Sequence, residues 1–253
     1  MSQKESAQKL IDENGLRIDG RRLDELRPMK LEVGVLDKAC GSASVELGKN
    51  RILVGVYGPR EAHPKHIALP DRAVVQCRYH MAPFSVEERK SPAPSRREME
   101  ISKVIREALE PSVMSWHYPR TAIDIYIEVL QSDGGSRCAS IVGASVALAD
   151  AGIPLRDLVS ACAVGKIEGQ LAVDLSDMED KLGEADMPVA VMGKSHAITL
   201  LQMDGFFSPE DFDRALDMAV NCCGRIHEMQ KDALKSKYLT IKEAAEESSK
   251  EET

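Results

Sequence analysis

Three stretches of the sequence combine residue types that can hold or transfer phosphate. Gly134-Gly135-Ser136-Arg137 joins a predicted strand end to a predicted helix start. The first turn of a helix offers backbone N–H groups without intrahelical partners and the positive end of the dipole, so an anion is favoured there. Glycine lets the backbone come close, Ser136 adds a hydroxyl donor, and Arg137 adds a planar cationic fork matched to phosphate oxygens. Read alone, such a Gly-Gly segment is more often just a turn before a helix. Arg96-Arg97 opens a second predicted helix, inside a window, Arg89–Arg106, with six basic and two acidic residues. Arginines at a helix start oppose its dipole, and a bound anion would offset them; the plain alternative is a solvated charged face. The third stretch, Glu179 to Asp186, holds four acids in eight residues. It reads as a loop between strands. It is either a solvated acidic run or a place where Asp180 and Asp186 converge across Gly183 to share acid–base work or hold a divalent ion. Two arginine-bearing helix starts beside one acidic loop suit phosphoryl transfer.

The elements that must position these residues follow from periodicity. Ser44–Leu47 and Arg51–Tyr57 read as strands around a Gly48-Lys49-Asn50 turn, with Gly58-Pro59 stopping the second. Ala73–Tyr79 is a further strand, after a polar loop that carries His63, Lys65 and His66. Ser95 reads as the N-cap of a helix whose Ile101, Val104, Ile105, Ala108 and Leu109 share a face. Ala122–Leu130 alternates apolar and polar residues and is the plainest strand. The Ala-, Ser- and Gly-rich helix from Ser136 to Asp150 can lie close to a sheet. Short strands follow at Val159–Val164, Leu171–Leu175, Val189–Met192 and Ala197–Gln202. Ser208-Pro209-Glu210-Asp211 starts a long helix that runs to about Lys237. Residues 1–15 read as a polar, loosely attached arm, 16–240 as one domain, and 241–253 as an acidic, disordered tail. The fold class is α+β, with mixed sheets backed by helices.

Composition narrows the partners. The chain has 253 residues, 43% apolar and 29% charged, a soluble globular make-up. No run approaches the roughly 18 apolar residues of a membrane span. The first twenty residues lack the apolar core of a secretory signal, so the expectation is a cytoplasmic protein. Six cysteines without a CxxC pair read as reduced thiols rather than a zinc site. The net charge of −8 and 4% aromatics argue against a whole surface that grips nucleic acid. Any RNA or DNA would be handled in a confined basic site or with a basic partner.

The segments LRIDGRRLDELRP, HPKHIALPDRAVVQCRYHMAPFS, SRREMEISKVIREALEP, SDGGSRCAS, ALADAGIPLRDLV, EDKLGEADMPVAV and DALKSKY carry a specific resemblance. From about Leu16 to Tyr238 the chain resembles the RNase PH family and, within it, the catalytic RNase PH-like branch of the archaeal exosome. The resemblance implies a ribosomal-protein-S5-domain-2-like fold. It implies 3′→5′ phosphorolysis of single-stranded RNA to nucleoside diphosphates with inorganic phosphate as co-substrate, and the reverse addition of 3′ tails. It also implies a 3+3 hexameric ring with an inactive paralogue, under a cap of RNA-binding subunits. Residue by residue, it puts phosphate on Gly135, Ser136, Arg137 and Arg97. It puts the RNA backbone on Arg96 and Arg97, and a pore neck on His63, Lys65 and His66. Asp180 becomes the general acid, with Asp186 supporting it or an Mg²⁺ ion. A lysine that helps the metal in related enzymes is replaced here by Pro188. A second reading is a ring scaffold of the same fold that binds RNA without cleaving it; retention of Arg97, Ser136, Arg137, Asp180 and Asp186 favours the enzyme.

Overall fold

A computed structural model describes residues 9–13 and 15–251, with side chains described as far as residue 239. The first sheet begins with β1 (Met29–Val33), β2 (Gly41–Leu47) and β3 (Asn50–Glu61), a meander whose second connection is a two-residue turn. β4 (Val74–Met81), α1 (Arg96–Leu109) and β5 (Thr121–Gln131) then form a parallel crossover unit. The strand order is β1-β2-β3-β5-β4, so β4 is an edge strand. After α2 (Ser136–Asp150) come β6 (Val159–Ile167) and β7 (Gln170–Val173), then α3 (Asp177–Leu182). β8 (Ala185–Met192), β9 (Ile198–Leu201) and β10 (Asp204–Gly205) complete a second sheet of order β10-β8-β6-β7, with β9 on β8. α4 (Pro209–Glu251) ends the described chain. The mixed α+β class is as the sequence predicts.

α2 is the centre of the molecule. Its residues from Cys138 to Leu148 are all buried, which fits a helix with apolar or small residues on every side. Gly143 lets it sit on the first sheet: a Cβ there would lie 2.6 Å from Val45 Cγ2. One apolar cluster runs from Ala43 and Val45 on the first sheet, through Ile141 and Val146 on α2, to Val164 and Val189 on the second sheet and Ile226 on α4. Burial of this cluster is the main favourable term in folding.

A second organising feature is polar. Arg17, Arg21 and Arg27 are buried with Asp174 and Glu179. Arg17 grips Glu179 through Nε at 2.8 Å and Nη2 at 2.5 Å, and donates to Val173 O and Asp174 O. Arg27 grips Asp174 through Nε at 2.8 Å and Nη2 at 2.7 Å. It also donates to the carbonyls of Asp133, Gly134 and Leu175. Asn50 adds a bond from Nδ2 to Gly134 O at 2.6 Å and accepts from Asp133 N–H. These side chains bind the turn after β5 to the segment that leads into α3.

Several expectations need correction. Leu10 and Ile11 are buried against Ile167, Ala172 and Leu175, and Leu10 N–H donates to Glu168 Oε1 at 2.6 Å. The described end of the arm is therefore docked, because two apolar residues cover an apolar patch at the β6–β7 hairpin. Residues 1–8 lie outside the described residues. The acidic tail is helical as far as Glu251 rather than disordered. Its alanines, glutamates and lysines are strong helix formers, and they extend a helix that is already nucleated. Gly58-Pro59 does not stop β3; the pairing with β5 shifts register between Tyr57 and Arg60 and resumes to Glu61. The stretch from Glu179 to Asp186 is not a loop: α3 carries Asp180 and β8 carries Asp186. No helix among the described residues is long and apolar enough to cross a membrane.

The buried network predicts acid sensitivity. Burial alone would raise the Glu179 pKa, but the Arg17 fork and the Ser176 backbone N–H outweigh it and bring the carboxyl to about 2. A carboxyl whose folded pKa is depressed contributes stability above its unfolded value, and that stability is lost as pH falls towards the folded value. The contribution is about 3 kcal/mol between pH 4.5 and about 2. Thermal unfolding followed across this interval should show a steep fall for the unaltered chain. Glu179→Gln should start lower and show a flatter dependence; equal slopes would contradict the assignment.

Candidate active site

Three helix starts and one strand converge. At α1, Ser95 caps the helix: its Oγ accepts from Glu98 N–H at 3.2 Å, and Glu98 Oε2 accepts from Ser95 N–H at 2.7 Å. This reciprocal capping box satisfies two N–H groups. Glu98 is buried, and its other oxygen accepts from Met81 N–H on β4 at 2.8 Å. Burial works against its charge, but the Met81 and Ser95 N–H groups lower its pKa. The charge mismatch of Arg96-Arg97 is thus met partly from within, by an ionised carboxylate in the same turn. Arg96 and Arg97 remain exposed.

At α2 the N-cap is Gly135, in the left-handed region at φ 67°, which favours glycine. Gly134 has φ 71°, and a Cβ there would meet the backbone of Leu175–Asp177 at 2.7 Å. Only glycine lets this turn press against the approach to α3. No side chain caps α2, so its first N–H groups remain available to an anion. Ser136 Oγ lies 2.9 Å from the Tyr79 hydroxyl, and Arg137 Nη1 donates to Gln202 Oε1.

The acids come from the second half of the chain. Asp180 follows the buried Glu179 on α3 and sits at the rim, open to solvent on one side. Asp186 on β8 is in register with Asp204 on β10, so the two side chains share a face. Desolvation first, then the neighbouring Asp180 carboxylate, push the Asp186 carboxyl up to about 6; Arg137 pulls against this and Asp204 adds to it. Asp180 is also raised, chiefly by desolvation, with Arg97 and Arg137 opposing and Asp177 and Asp204 reinforcing. Arg97, Arg137, Asp180 and Asp186 therefore act on one another, and they come from four different elements.

His63, Lys65 and His66 are not part of this cluster. They are exposed at the end of β3, and Lys65 pairs with Glu61 at 3.0 Å. β3 ends where β5 begins, whereas the Gly134 turn follows the other end of β5. Eleven residues of strand separate the two levels, roughly 33 Å at the usual rise. Three residues of the site carried no sequence signal that marked them. Tyr79 looks like an ordinary inward-facing strand residue, and Asp204 lies in, with Gln202 just before, a two-residue strand too short to show periodicity. The described residues hold no group of three or more His, Cys, Asp or Glu side chains arranged to bind a metal ion. With Pro188 next to the acids, the donor set is two or three carboxylates without a cage, and it does not by itself build an Mg²⁺ site.

The model of RNase PH, the 3′ exoribonuclease family, matches this sequence as domain 1 over residues 25–154 and as domain 2 over residues 157–222. The chain belongs to this family. Its activity is accordingly that of a phosphorolytic 3′→5′ exoribonuclease. It is 62% identical to the exosome complex component Rrp41 of Thermococcus onnurineus over 235 residues, covering 93% of this chain and 94% of that one. The corresponding component of Pyrococcus abyssi is 58% identical over 246 residues, covering 97% and 99%. Among solved structures, one described as the Archaeoglobus fulgidus exosome with RNA bound to the active site superimposes with a TM-score of 0.75 at 26% identity. The match spans 85% of this chain and 93% of that one. The boundary between the two domain models falls between α2 and β6, yet the main apolar cluster crosses it without a break.

The Asp180–Asp186 pair is directly testable within this exoribonuclease fold. In carboxyl-carbon NMR, Asp186 should titrate near pH 6. Asp180→Asn should move it downward, because the neighbouring negative charge is gone. An Asp186 that titrates near pH 4 in both proteins would mean that the pair is not coupled.

Proposed function

We propose that this chain is the catalytic subunit of an exosome-type ring, and that the cluster joining α1, α2, α3 and β8 is where RNA is phosphorolysed. The observation that carries this reading is that two cationic helix starts and two carboxyls of raised pKa meet at one place. Inorganic phosphate sits on the α2 start, held by the Gly135 turn, the Ser136 hydroxyl and the Arg137 fork, with Arg97 on its other side. Arg96 and Arg97 neutralise the RNA backbone, which positions the strand without reading its bases.

A phosphate oxygen attacks the phosphorus of the last phosphodiester. The new P–O bond forms as the bond to the preceding nucleotide's 3′-oxygen breaks. That oxygen takes a proton from Asp180, and a nucleoside diphosphate leaves. The RNA is one residue shorter and again ends in a 3′-hydroxyl. Asp186, with a carboxyl pushed up to about 6, serves as the proton reserve behind Asp180. Asp180 delivers the proton because it is the one open to the substrate side. Reversal with nucleoside diphosphates extends the 3′ end.

His63, Lys65 and His66 stand apart from the chemistry, as a neck over the path of single-stranded RNA would. The partners in this reading are three inactive RNase PH-like paralogues that alternate with three copies of this chain, and a cap of RNA-binding subunits. The setting is the cytoplasm, in keeping with six unpaired cysteines. The acidic net charge then falls on the outside of the ring, where it discourages non-specific RNA.

The test uses the ring assembled with its paralogue and 5′-labelled single-stranded RNA, with and without inorganic phosphate. Shortening should require phosphate and release nucleoside diphosphates. Asp180→Ala should reduce turnover by about 10²-fold or more and leave RNA binding within about twofold. Monophosphate products, or turnover that survives Asp180→Ala, would overturn the mechanism. Arg97→Ala should raise the phosphate KM by at least about tenfold, the scale of one charge-assisted contact; an unchanged phosphate dependence would remove Arg97 from the phosphate site.

A further inference from the structure

We propose that Tyr79 is the positioning residue of the phosphate site: its hydroxyl orients Ser136 towards the anion, and its backbone fixes the α2 start against the α1 start. The inference rests on reading Gly135, Ser136 and Arg137 as the phosphate cradle. Tyr79 is 2% exposed, in the middle of the edge strand β4. A buried phenol needs a hydrogen-bond partner. Here that partner is the Oγ of Ser136, the first residue of α2, at 2.9 Å.

The backbone of the same residue is tied the other way. Tyr79 N–H donates to Ser102 Oγ on α1 at 2.9 Å, and Ser102 Oγ–H donates to Glu98 O at 2.6 Å. Two residues on, Met81 N–H donates to Glu98 Oε1. Glu98 is the capping residue of the turn that carries Arg97. The free edge of β4 is thus covered by α1 side chains, and Tyr79 bridges the two helix starts.

The chemistry sets the direction of the hydroxyl bond. A serine hydroxyl has one proton and two acceptor sites. The phenol, with an ordinary pKa of about 10, is the more acidic of the two groups. Burial raises it further, so it stays protonated at neutral pH. Tyr79 therefore donates to Ser136, and the only proton on Ser136 is left to point at an anion between Arg97 and Arg137. If the phenol is removed, that proton is free to turn elsewhere, and the anion loses an oriented donor.

The experiment is a double-mutant cycle in the assembled ring, with initial rates measured against phosphate at saturating RNA and against RNA at saturating phosphate. Tyr79→Phe keeps the ring and its packing and removes only the oxygen. It should raise the phosphate KM about five- to tenfold, as the loss of an oriented hydrogen bond to a charged group would. The loss should fall on the phosphate KM rather than on kcat, and the RNA KM should not move. Tyr79→Phe combined with Ser136→Ala should be no worse than Ser136→Ala alone, because the tyrosine acts through the serine. Additive losses, an unchanged phosphate KM in Tyr79→Phe, or an equal rise in the RNA KM would each overturn the inference. If Ser136→Ala itself leaves the phosphate KM unchanged, the cradle fails, and the inference falls with it.

Discussion

Five buried charges hold the two halves of this molecule in fixed relation. Arg17, Arg21 and Arg27 face Asp174 and Glu179 where the turn after β5 meets the approach to α3. Taking such groups out of water costs several kcal/mol each unless every one is paired and its remaining hydrogen bonds are met. Here the arginines also saturate carbonyls of Asp133, Gly134, Val173, Asp174 and Leu175. Apolar replacements of the same shape would take those donors away, leaving Gly134 O with the Asn50 bond alone. The network is therefore hard to substitute, and its position has a consequence for chemistry. One side of it fixes the turn that starts α2, and the other fixes Glu179, whose neighbour in sequence is Asp180. These ion pairs tie the α2 start to the α3 residue that precedes Asp180.

The site itself runs against local stability. Asp186 faces Asp204 across two paired strands, and like charges directly opposite each other destabilise a sheet. Asp180 adds a third carboxylate nearby. Arg97 and Arg137 moderate this, but burial still holds Asp186 near 6. A carboxyl that keeps its proton close to neutral pH is useful for donating one, and the rest of the fold supplies the stability this arrangement gives up. The chain is acidic overall, yet arginines stand at two of the helix starts that meet here.

Much of this was legible from residue order. The capping signal at Ser95, the apolar stripe of α1, the alternation of β5, the Gly-Gly turn and the small residues of α2 all depend on neighbours within a few positions, which periodicity detects. The residues named for phosphate and proton chemistry, Arg97, Ser136, Arg137, Asp180 and Asp186, do come together. The misreadings share a cause. Glu179 looked like part of a solvated acidic run because its partner, Arg17, is 162 residues away. Leu10 and Ile11 looked like part of a free arm because the patch they cover belongs to β6, β7 and the segment after them. Tyr79 gave no sign of its role, since a hydroxyl aimed at another helix looks in sequence like any inward-facing tyrosine.

The sequence by itself determined most of the element types, the helix starts that suit an anion, and the family resemblance, because these reside in local order and in motifs that need no spatial partner. The tertiary structure alone decided which of the charged residues face one another, since that is a matter of distance and dielectric. It brought Asp186 opposite Asp204, set Gln202 against Arg137 and Tyr79 against Ser136, and left His63, Lys65 and His66 at the far end of β5. The Asp186 carboxyl is pushed up to about 6 because burial and a second carboxylate act on it together. Neither condition exists until α3 and β8 are folded against the start of α2.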